Sequence, residues 1–501
     1  LAKRYKDTLL QQIDLAILLI YNVGIVAFGC WFVRRNRSSE HFMAAGRSLP
    51  GWAVGLSIFG SYVSSISFLA NPGKSYSDNW NPFVFALSLP LAAWLSVRYF
   101  VPFYRKSGEI SAYHHLETRF GGWARTYAVI CFLLIQLTRL GTILYLLSLA
   151  IQPVLGWDLK TLIIVIGGLV IIYPMLGGTE GVIWTGALQS LVLVIGPLIC
   201  IGVLLGNMPE GPSQIFNIAS RYDKFSLGSY SLTSSISEST FWVVLAYGFV
   251  TNLQNFGIDQ AYVQRYITAK SDRAARQSIW MGALLYLPIG AMFFFIGTAL
   301  FAFYQPQPDI LPTGIKPDAV FPHFIMTQLP VGLTGLVLAA ICAAAMDSNL
   351  NCSATLLHCD IYERYFRRAK SERESLWVLR LSTLAFGILS IITALAMISV
   401  KNALDVWWKY AGIFSGGMVG LFLLGLISRR ANNTGAMAGT AIGILAILWM
   451  TFSPKWTGLP AWLRSPFHDL LIIVIGTLLI LVIGLLVSRL SNLQDRKGHK
   501  G

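Results

Sequence analysis

The segment that decides the fold reads Leu56-Ser-Ile-Phe-Gly60-Ser-Tyr-Val63-Ser-Ser-Ile-Ser67-Phe68. Within it, residues 60–67 hold four serines and a glycine. These residues weaken an α-helix, partly because serine side chains compete for backbone hydrogen bonds. Such a segment can unwind inside a membrane and free carbonyl oxygens for a cation or a solute. Its small residues could equally form a tight contact between two continuous helices, and the segment alone leaves both interpretations open.

Thirteen apolar stretches separated by short loops make up most of the sequence. A helix that crosses the hydrocarbon core needs about 20 predominantly apolar residues, and most of the stretches meet that length. The composition agrees, since 55% of the residues are hydrophobic and 12% are charged. We therefore expect an all-α polytopic membrane protein with about 13 transmembrane helices. Their ranges are 15–33, 52–70, 82–101, 126–155, 162–176, 182–205, 241–262, 278–303, 331–360, 376–398, 404–427, 435–450 and 470–487.

Lysine and arginine residues cluster in every second loop and in the C-terminal tail. Because positively charged loops stay in the cytoplasm, the C-terminus is expected to be cytoplasmic and the N-terminus outside. Lys3, Arg4 and Lys6 depart from this rule at the outer end. The net charge of +15 thus reports topology in an inner (plasma) membrane protein, with the lipid bilayer as its partner. It does not indicate binding to nucleic acid.

A second polar interruption, Asn252-Leu-Gln254-Asn255-Phe256-Gly257-Ile-Asp259-Gln260, lies in the seventh stretch. It follows the first by five helices and runs in the opposite membrane orientation. Two interrupted helices at matching places in two halves are typical of inverted-repeat transporters. The pattern predicts that the helices break near Gly60–Ser65 and Gly257, and that these positions are not mere packing contacts.

Arg139 lies in the middle of the fourth stretch, with no acidic residue within one helical turn. A guanidinium buried in a membrane needs a carboxylate or several oxygens, and its planar fork suits a carboxylate. Either the transported solute or a neighbouring helix supplies that group.

Enzyme motifs are not found in the sequence. Gly73-Lys74-Ser75 imitates the end of a phosphate-binding loop, but Phe68 stands where the first glycine belongs. The six cysteines show neither metal-ligand nor disulfide spacing. The chain is expected to form one transmembrane transporter domain over residues 1–501, with no catalytic residues and no organic cofactor.

Four motifs resemble the bacterial sodium–solute symporters. They are Gly177-Gly-Thr-Glu-Gly-Val-Ile-Trp184-Thr, Asp259-Gln260-Ala-Tyr-Val-Gln264-Arg265, Ser111-Ala-Tyr-His-His-Leu-Glu117-Thr-Arg-Phe, and Ala339-Ala-Ile-Cys-Ala-Ala-Ala-Met346 with Asp360-Ile-Tyr362. The resemblance implies a LeuT-type five-plus-five inverted repeat over residues 52–427. An extra first helix (15–33), two trailing helices (435–487) and a cytoplasmic tail (488–501) flank this core.

Within that family the chain is most similar to the sialic acid symporters. The resemblance implies a substrate site at Tyr62, Ser64, Ser67, Arg139, Asn252, Asn255 and Phe256. Arg139 would bind the carboxylate of the sugar acid. The chain departs from that group at Tyr62, where those symporters have Thr, and at Pro82 and Ala86, where they have Phe and Gln. A sugar or a smaller acid is therefore an alternative solute.

The family's sodium site implies carbonyl ligands from the second helix and two hydroxyls from the ninth. On the ninth helix Met346 is followed directly by Asp347-Ser348-Asn349, as if the triplet that bears the hydroxyls were missing. Depending on the alignment, either Asp347 and Ser348 or Ala344 and Ala345 occupy the ligand positions. The expected sodium ligands are therefore Gly60, Val63, Ala344, Asp347 and Ser348.

Another departure is Gly186, which stands where many relatives have Asp. Asp347 could restore a charge, take up a proton, or pair with Arg139 or Lys409. The sequence thus predicts a secondary active transporter that takes up a sugar or sugar acid with a cation, sodium by family default. The alternatives are a proton-coupled or uncoupled transporter, or a solute sensor that has lost ion coupling. The oligomeric state stays open.

Overall fold

A computed structural model describes residues 2–32, 38–345, 349–366, 371–400, 402–456, 458 and 460–498. These residues are mostly helical, and the described part of the chain contains no strand, only an isolated bridge between Leu49 and Ala269. The α-helices are α1 (Ala2–Trp31), α2 (Ser39–Ala44), α3 (Gly51–Tyr62), α4 (Asn71–Ser77), α5 (Val84–Leu87), α6 (Leu89–Leu95), α7 (Val101–Ser107), α8 (His114–Phe120), α9 (Gly122–Leu155), α10 (Leu159–Asn207), α11 (Ser213–Arg221), α12 (Phe241–Gly257), α13 (Gln260–Ile267), α14 (Asp272–Tyr304), α15 (Pro317–Gln328), α16 (Leu333–Ala345), α17 (Asn349–Leu356), α18 (Glu372–Ala396), α19 (Ala403–Ile427), α20 (Asn433–Phe452) and α21 (Leu471–Gly498). The segments Ile66–Ala70, Ser96–Phe100 and Leu357–Phe366 are π-helical.

Within the described ranges, nine helices are long and apolar enough to cross a membrane. They are Gln12–Trp31, Asn81–Ser107, Gly122–Gln152, Gly178–Asn207, Asp272–Tyr304, Glu372–Ser399, Ala403–Ile427, Asn433–Lys455 and Leu471–Leu493. The pair Gly51–Tyr62 and Ile66–Ser77 is a tenth if it counts as one span. Among the described residues, the fifth and ninth predicted stretches hold the shorter apolar helices Leu159–Ile172 and Leu333–Ala343, and the seventh holds α12, which is 17 residues long. The structure thus shows a multi-pass helical architecture, and the count of 13 stays a prediction.

Both predicted helix interruptions are confirmed. α3 ends at Tyr62, Val63 takes the non-helical angles φ −85° and ψ 69°, and the helix axis bends by 50° before the chain continues. α12 ends at Gly257, and α13 begins at Gln260 after two intervening residues. The Asp259 carboxylate restarts the helix by accepting a hydrogen bond from the Ala261 backbone N–H at 2.8 Å, which satisfies one of the unpaired donors of the new N-terminus.

The two glycines near these breaks also form close packing contacts. A β-carbon on Gly60 would lie 2.9 Å from Ser190 Oγ and 3.3 Å from the Gly186 carbonyl oxygen. A β-carbon on Gly257 would lie 2.9 Å from the ring of Phe100. Both breaks are therefore confirmed, and the two glycines also allow close packing at these places. A bulky residue at Gly60 would push α3 away from α10 whether or not the helix were continuous.

The two interrupted helices meet near the middle of the molecule. α3 packs against α10 and α14, while α12 packs against α5 and α6. Their broken ends come together where the Tyr62 ring lies 5.3 Å from the ring of Phe256, measured between centroids. This meeting point positions the polar residues of both segments around one cavity.

Candidate functional site

A cavity lies beside the broken ends of α3 and α12. α9, α14 and α19 complete its wall. The polar residues that line it are Ser61, Ser64, Ser67, Asn71, Arg139, Thr251, Gln254, Asn255, Asp259 and Ser415. Its aromatic lining residues are Tyr62, Phe83, Phe85, Tyr247, Tyr262, Tyr286, Phe294, Trp407 and Trp408. Rings that surround a few polar groups suit a small organic solute with both apolar and polar faces.

Tyr62 is the centre of an aromatic cluster in this wall. Its ring centroid lies 5.1 Å from that of Tyr262 and 5.4 Å from that of Tyr286, in addition to the Phe256 contact. Its hydroxyl donates a hydrogen bond to Asn252 Oδ1 at 3.2 Å. The Asn252 amide in turn donates to Ser88 Oγ at 2.9 Å. These contacts fix the orientation of the Tyr62 ring beside the cavity.

The structure brings the predicted substrate residues together in two layers. Five of them line the cavity directly: Tyr62, Ser64, Ser67, Arg139 and Asn255. The other two, Asn252 and Phe256, contact Tyr62. They support the cavity wall and are not among the residues that line it.

Side chains engage the carbonyl groups at the end of α3. The Arg139 guanidinium donates to the Ser61 carbonyl oxygen through Nη2 at 2.5 Å. Ser67 Oγ donates to the Tyr62 carbonyl oxygen at 2.8 Å and lies 3.3 Å from the Tyr286 hydroxyl. A helix end leaves its last carbonyls without partners inside the helix, and these two bonds compensate part of that loss. Gly60 and Val63, the predicted sodium ligands on this segment, flank the two bonded carbonyls.

The rest of the predicted sodium site lies largely outside the described residues. Ala344 belongs to the last turn of α16, but its side chain is not described, nor are Asp347 and Ser348. The predicted sodium ligands therefore stay a prediction. The structure does assign a carboxylate to Lys409, which forms an ion pair with Asp469. This pair provides an alternative to the proposed partnership between Lys409 and Asp347.

Arg139 is buried, with 7% of its surface exposed, and it lines the cavity. A guanidinium carries five N–H donors, and the Ser61 carbonyl accepts a hydrogen bond from one of its nitrogens. This geometry holds the side chain at the helix break while its edge borders the cavity. The arrangement is suited to binding a carboxylate that enters the cavity.

A second cavity adjoins the first and shares Pro82 and Trp408 as lining residues. Two groups of ion pairs surround it. In the first group, Lys74 Nζ lies 3.0 Å from Asp405 Oδ2 and 2.8 Å from Asp78 Oδ2. The second group is the ion pair between Lys409 and Asp469, which also line this cavity. We call these residues the mouth cluster, because they lie where the central cavity continues toward the surface.

Sequence reasoning missed most of the aromatic lining. Tyr286, Trp407 and Trp408 belong to helices α14 and α19, which carry no polar interruption of the kind that marks α3 and α12. In sequence, an aromatic residue in an apolar helix looks like a core residue or a lipid-facing residue. The sequence therefore gives no separate sign that such a ring lines a cavity. Asp259 does carry such a sign in the sequence, because a carboxylate inside a predicted span indicates a functional site. Its Oδ2 accepts a hydrogen bond from Gln136 Nε2 at 3.2 Å.

Comparison with known proteins shows extensive similarity. The model of the sodium:solute symporter family matches residues 42–443. The sodium/sialic acid symporter NanT of Aliivibrio fischeri is 32% identical over 481 residues, which cover 94% of this chain and 92% of that protein. The sodium/sialic acid symporter SiaT of Proteus mirabilis is 34% identical over 443 residues, with 87% and 89% covered. The solved substrate-bound, outward-open state of a Na⁺-coupled sialic acid symporter superposes with a TM-score of 0.86 at 32% identity, over 95% of this chain and 98% of that chain.

Proposed function

The chain belongs to the sodium:solute symporter family, and from this premise we propose that it imports a sugar acid of the sialic acid type. It is a multi-pass membrane transporter and not an enzyme, and sodium is its coupling ion. The symporters to which it is similar in sequence and in structure transport sialic acid. The identity of the transported solute is the open question here.

The observation that carries the proposed substrate is the position of Arg139. Its guanidinium lies at the helix break and borders a cavity that is otherwise lined by rings and uncharged polar groups, apart from Asp259. A carboxylate of the solute would match the planar fork of the guanidinium. The hydroxyl groups of Ser64 and Ser67 and the amide of Asn255 lie in the same wall. They are suited to binding the hydroxyls of a sugar.

A smaller carboxylic acid is the second candidate, and Tyr62 favours it. The phenol ring fills space in the wall that the threonine of the sialic acid symporters would leave open, and its contacts with Asn252 and Phe256 prevent it from swinging aside. An acid that needs less room would then fit the cavity better.

We further propose the topology that the charge pattern predicts. Thirteen spans would place the N-terminus outside and the C-terminus in the cytoplasm of the inner membrane, with the inverted repeat over residues 52–427. The breaks in α3 and in the α12–α13 pair support this assignment, since paired interruptions mark the centres of two repeats. The two halves would then rock around the central cavity to expose it alternately.

Transport by the purified protein in proteoliposomes tests the proposed function. An inward sodium gradient is expected to drive accumulation of sialic acid, whereas its methyl ester is expected to accumulate much less because it lacks the charge that Arg139 would bind. A short monocarboxylate serves as the third substrate and tests the second candidate. Equal accumulation of acid and ester, or accumulation driven only by a proton gradient, would contradict the proposal.

We propose that Gly60, Val63, Ala344, Asp347 and Ser348 bind the sodium ion. Carbonyl and carboxylate oxygens are the ligands that hard cations prefer, and an acid inside a membrane is rarely kept without a partner or a function. Asp347→Asn keeps the shape of the side chain but removes its charge.

Asp347→Asn is expected to abolish the dependence of uptake on the sodium gradient while solute still binds. Solute binding by calorimetry and gradient-driven uptake, measured side by side, separate these two effects. Asp309→Asn, at an exposed position in a loop, is the matched control. Unchanged sodium dependence in Asp347→Asn would mean that another residue provides the coupling charge.

A further inference from the structure

Two sulfur atoms and an imidazole meet at the end of the molecule opposite the mouth cluster. Cys359 Sγ lies 3.6 Å from Met43 Sδ and 3.7 Å from His358 Nδ1. Met43 belongs to the short helix α2, whereas His358 and Cys359 belong to the π-helical segment Leu357–Phe366. Met43 Sδ and His358 Nδ1, from two separate elements, therefore both lie next to the Cys359 sulfur.

These separations match those of ligands around a single metal ion. Bonds of about 2.3 Å to sulfur and about 2.0 Å to nitrogen hold tetrahedral ligand atoms about 3.5 to 3.8 Å apart. Both measured distances fall within that interval. These two distances support a metal ion bound by Met43, His358 and Cys359.

The histidine ring is already held in the orientation that a ligand requires. His358 Nε2 lies 2.6 Å from Ser375 Oγ and 3.8 Å from Glu363 Oε1. A histidine that binds a metal through one nitrogen commonly donates the N–H of the other to a hydroxyl or carboxylate oxygen. With the proton on Nε2, the Nδ1 lone pair faces Cys359.

Cys359 is the partly exposed member of the cluster, whereas Met43 and His358 are buried. Cys359 and Glu363 line an open cavity, together with acidic residues such as Glu40 and Glu109 and basic residues such as Arg47 and Arg125. The Cys359 thiol is free. On the proposed topology this cavity opens to the cytoplasm, where thiols stay reduced.

We propose that Met43, His358 and Cys359 form a binding site for a soft metal ion of the Cu(I) class. A thioether and a thiolate are ligands that select soft ions over Mg²⁺, Ca²⁺ or Na⁺. On binding, the Cys359 thiol loses its proton to solvent and its sulfur binds the metal. The Glu363 carboxylate lies within 4.8 Å of Cys359 Sγ and of a ring nitrogen of His358, and offsets part of the positive charge.

Metal at this site would join α2 to the end of the ninth predicted span. The Met43 carbonyl oxygen already accepts hydrogen bonds from Thr179 Oγ1 at 3.0 Å and from Gln264 Nε2 at 2.6 Å. Those donors belong to α10 and α13. A bound ion would therefore add a cross-link to a point where several helices meet, and would stabilise the arrangement seen here.

Competition for Cu(I) against a chromophoric chelator tests the site, with the full-length protein purified in detergent under anaerobic reducing conditions. One Cu(I) per chain is expected to be withdrawn from the chelator. Cys359→Ser is expected to weaken binding at least about 100-fold, and Met43→Leu, which preserves the packing volume, about 10-fold. Ser375→Ala, which removes the partner of the histidine ring, is expected to weaken it about 10- to 100-fold.

Cys30→Ser is the matched control, because Cys30 is a partly exposed thiol outside the cluster. Its Cu(I) affinity is expected to equal that of the parent protein. Unchanged stoichiometry and affinity in Cys359→Ser would overturn the proposal. So would a loss confined to Cys359→Ser while Met43→Leu and Ser375→Ala bind as the parent does, since that pattern describes a solitary thiol.

Discussion

Arg139→Lys is expected to weaken binding of the acidic solute about 10- to 150-fold. The estimate corresponds to about 1.5–3 kcal/mol for a hydrogen bond to a charged group. A lysine ammonium is a point charge that cannot bind a carboxylate bidentately, and it cannot easily reach the Ser61 carbonyl oxygen at the same time. Calorimetric titration with the solute measures the dissociation constant directly.

Arg98→Lys is the control for this substitution, because Arg98 is an exposed arginine outside the cavity lining. It is expected to bind solute as the parent does. Thermal unfolding of both variants shows whether a change in affinity reflects a damaged fold. A dissociation constant in Arg139→Lys equal to that of the parent would mean that the solute carboxylate, if it has one, binds elsewhere.

Asp360→Ala is expected to destabilise the protein by about 3–5 kcal/mol, the usual cost of removing one partner of a buried ion pair. The Asp360 side chain is fully buried, at 0% exposure, and forms an ion pair with Arg125. It also accepts a hydrogen bond from Ser111 Oγ at 2.9 Å. Glu117 lies 2.8 Å from Arg125 and would compensate only part of the charge left behind.

The melting temperature in detergent measures this effect, with Asp272→Ala as the matched control. Asp272 forms an ion pair with Arg105 at 2.7 Å, but its side chain is 61% exposed. Exposed pairs contribute about 0–1 kcal/mol, so the control is expected to melt close to the parent. Similar melting temperatures for the two variants would show that burial of Asp360 adds nothing to stability.

Both helix breaks could be predicted from the sequence because their cause is local. The Ser and Gly residues around Tyr62 are poor helix formers, and Asp259 is the N-cap residue of α13. The packing role of Gly60 could not be predicted. It depends on Ser190 and Gly186, which are distant in sequence and lie on α10.

The aromatic lining of the cavity and the number of spans are two features that hydropathy alone does not determine. Trp407 and Trp408 line the cavity only because α19 packs beside α9 and α12, and hydropathy does not encode that neighbour relation. Hydropathy predicts thirteen spans, and nine helices of the described residues, or ten with the bent pair, are long and apolar enough to cross a membrane.

The exposure of the mouth cluster affects how sodium dependence must be measured. Its carboxylates at Asp405 and Asp469 are 54% and 40% exposed, and at about 0.1 M salt the Debye length is only about 10 Å. Adding sodium chloride therefore weakens these pairs by screening, as any other monovalent salt would. The buried Asp360 pair is screened much less. A sodium titration therefore needs choline or a similar salt to keep the ionic strength constant. Without it, the measured dependence of uptake on sodium would combine ion coupling with the weakening of the ion pairs in the mouth cluster.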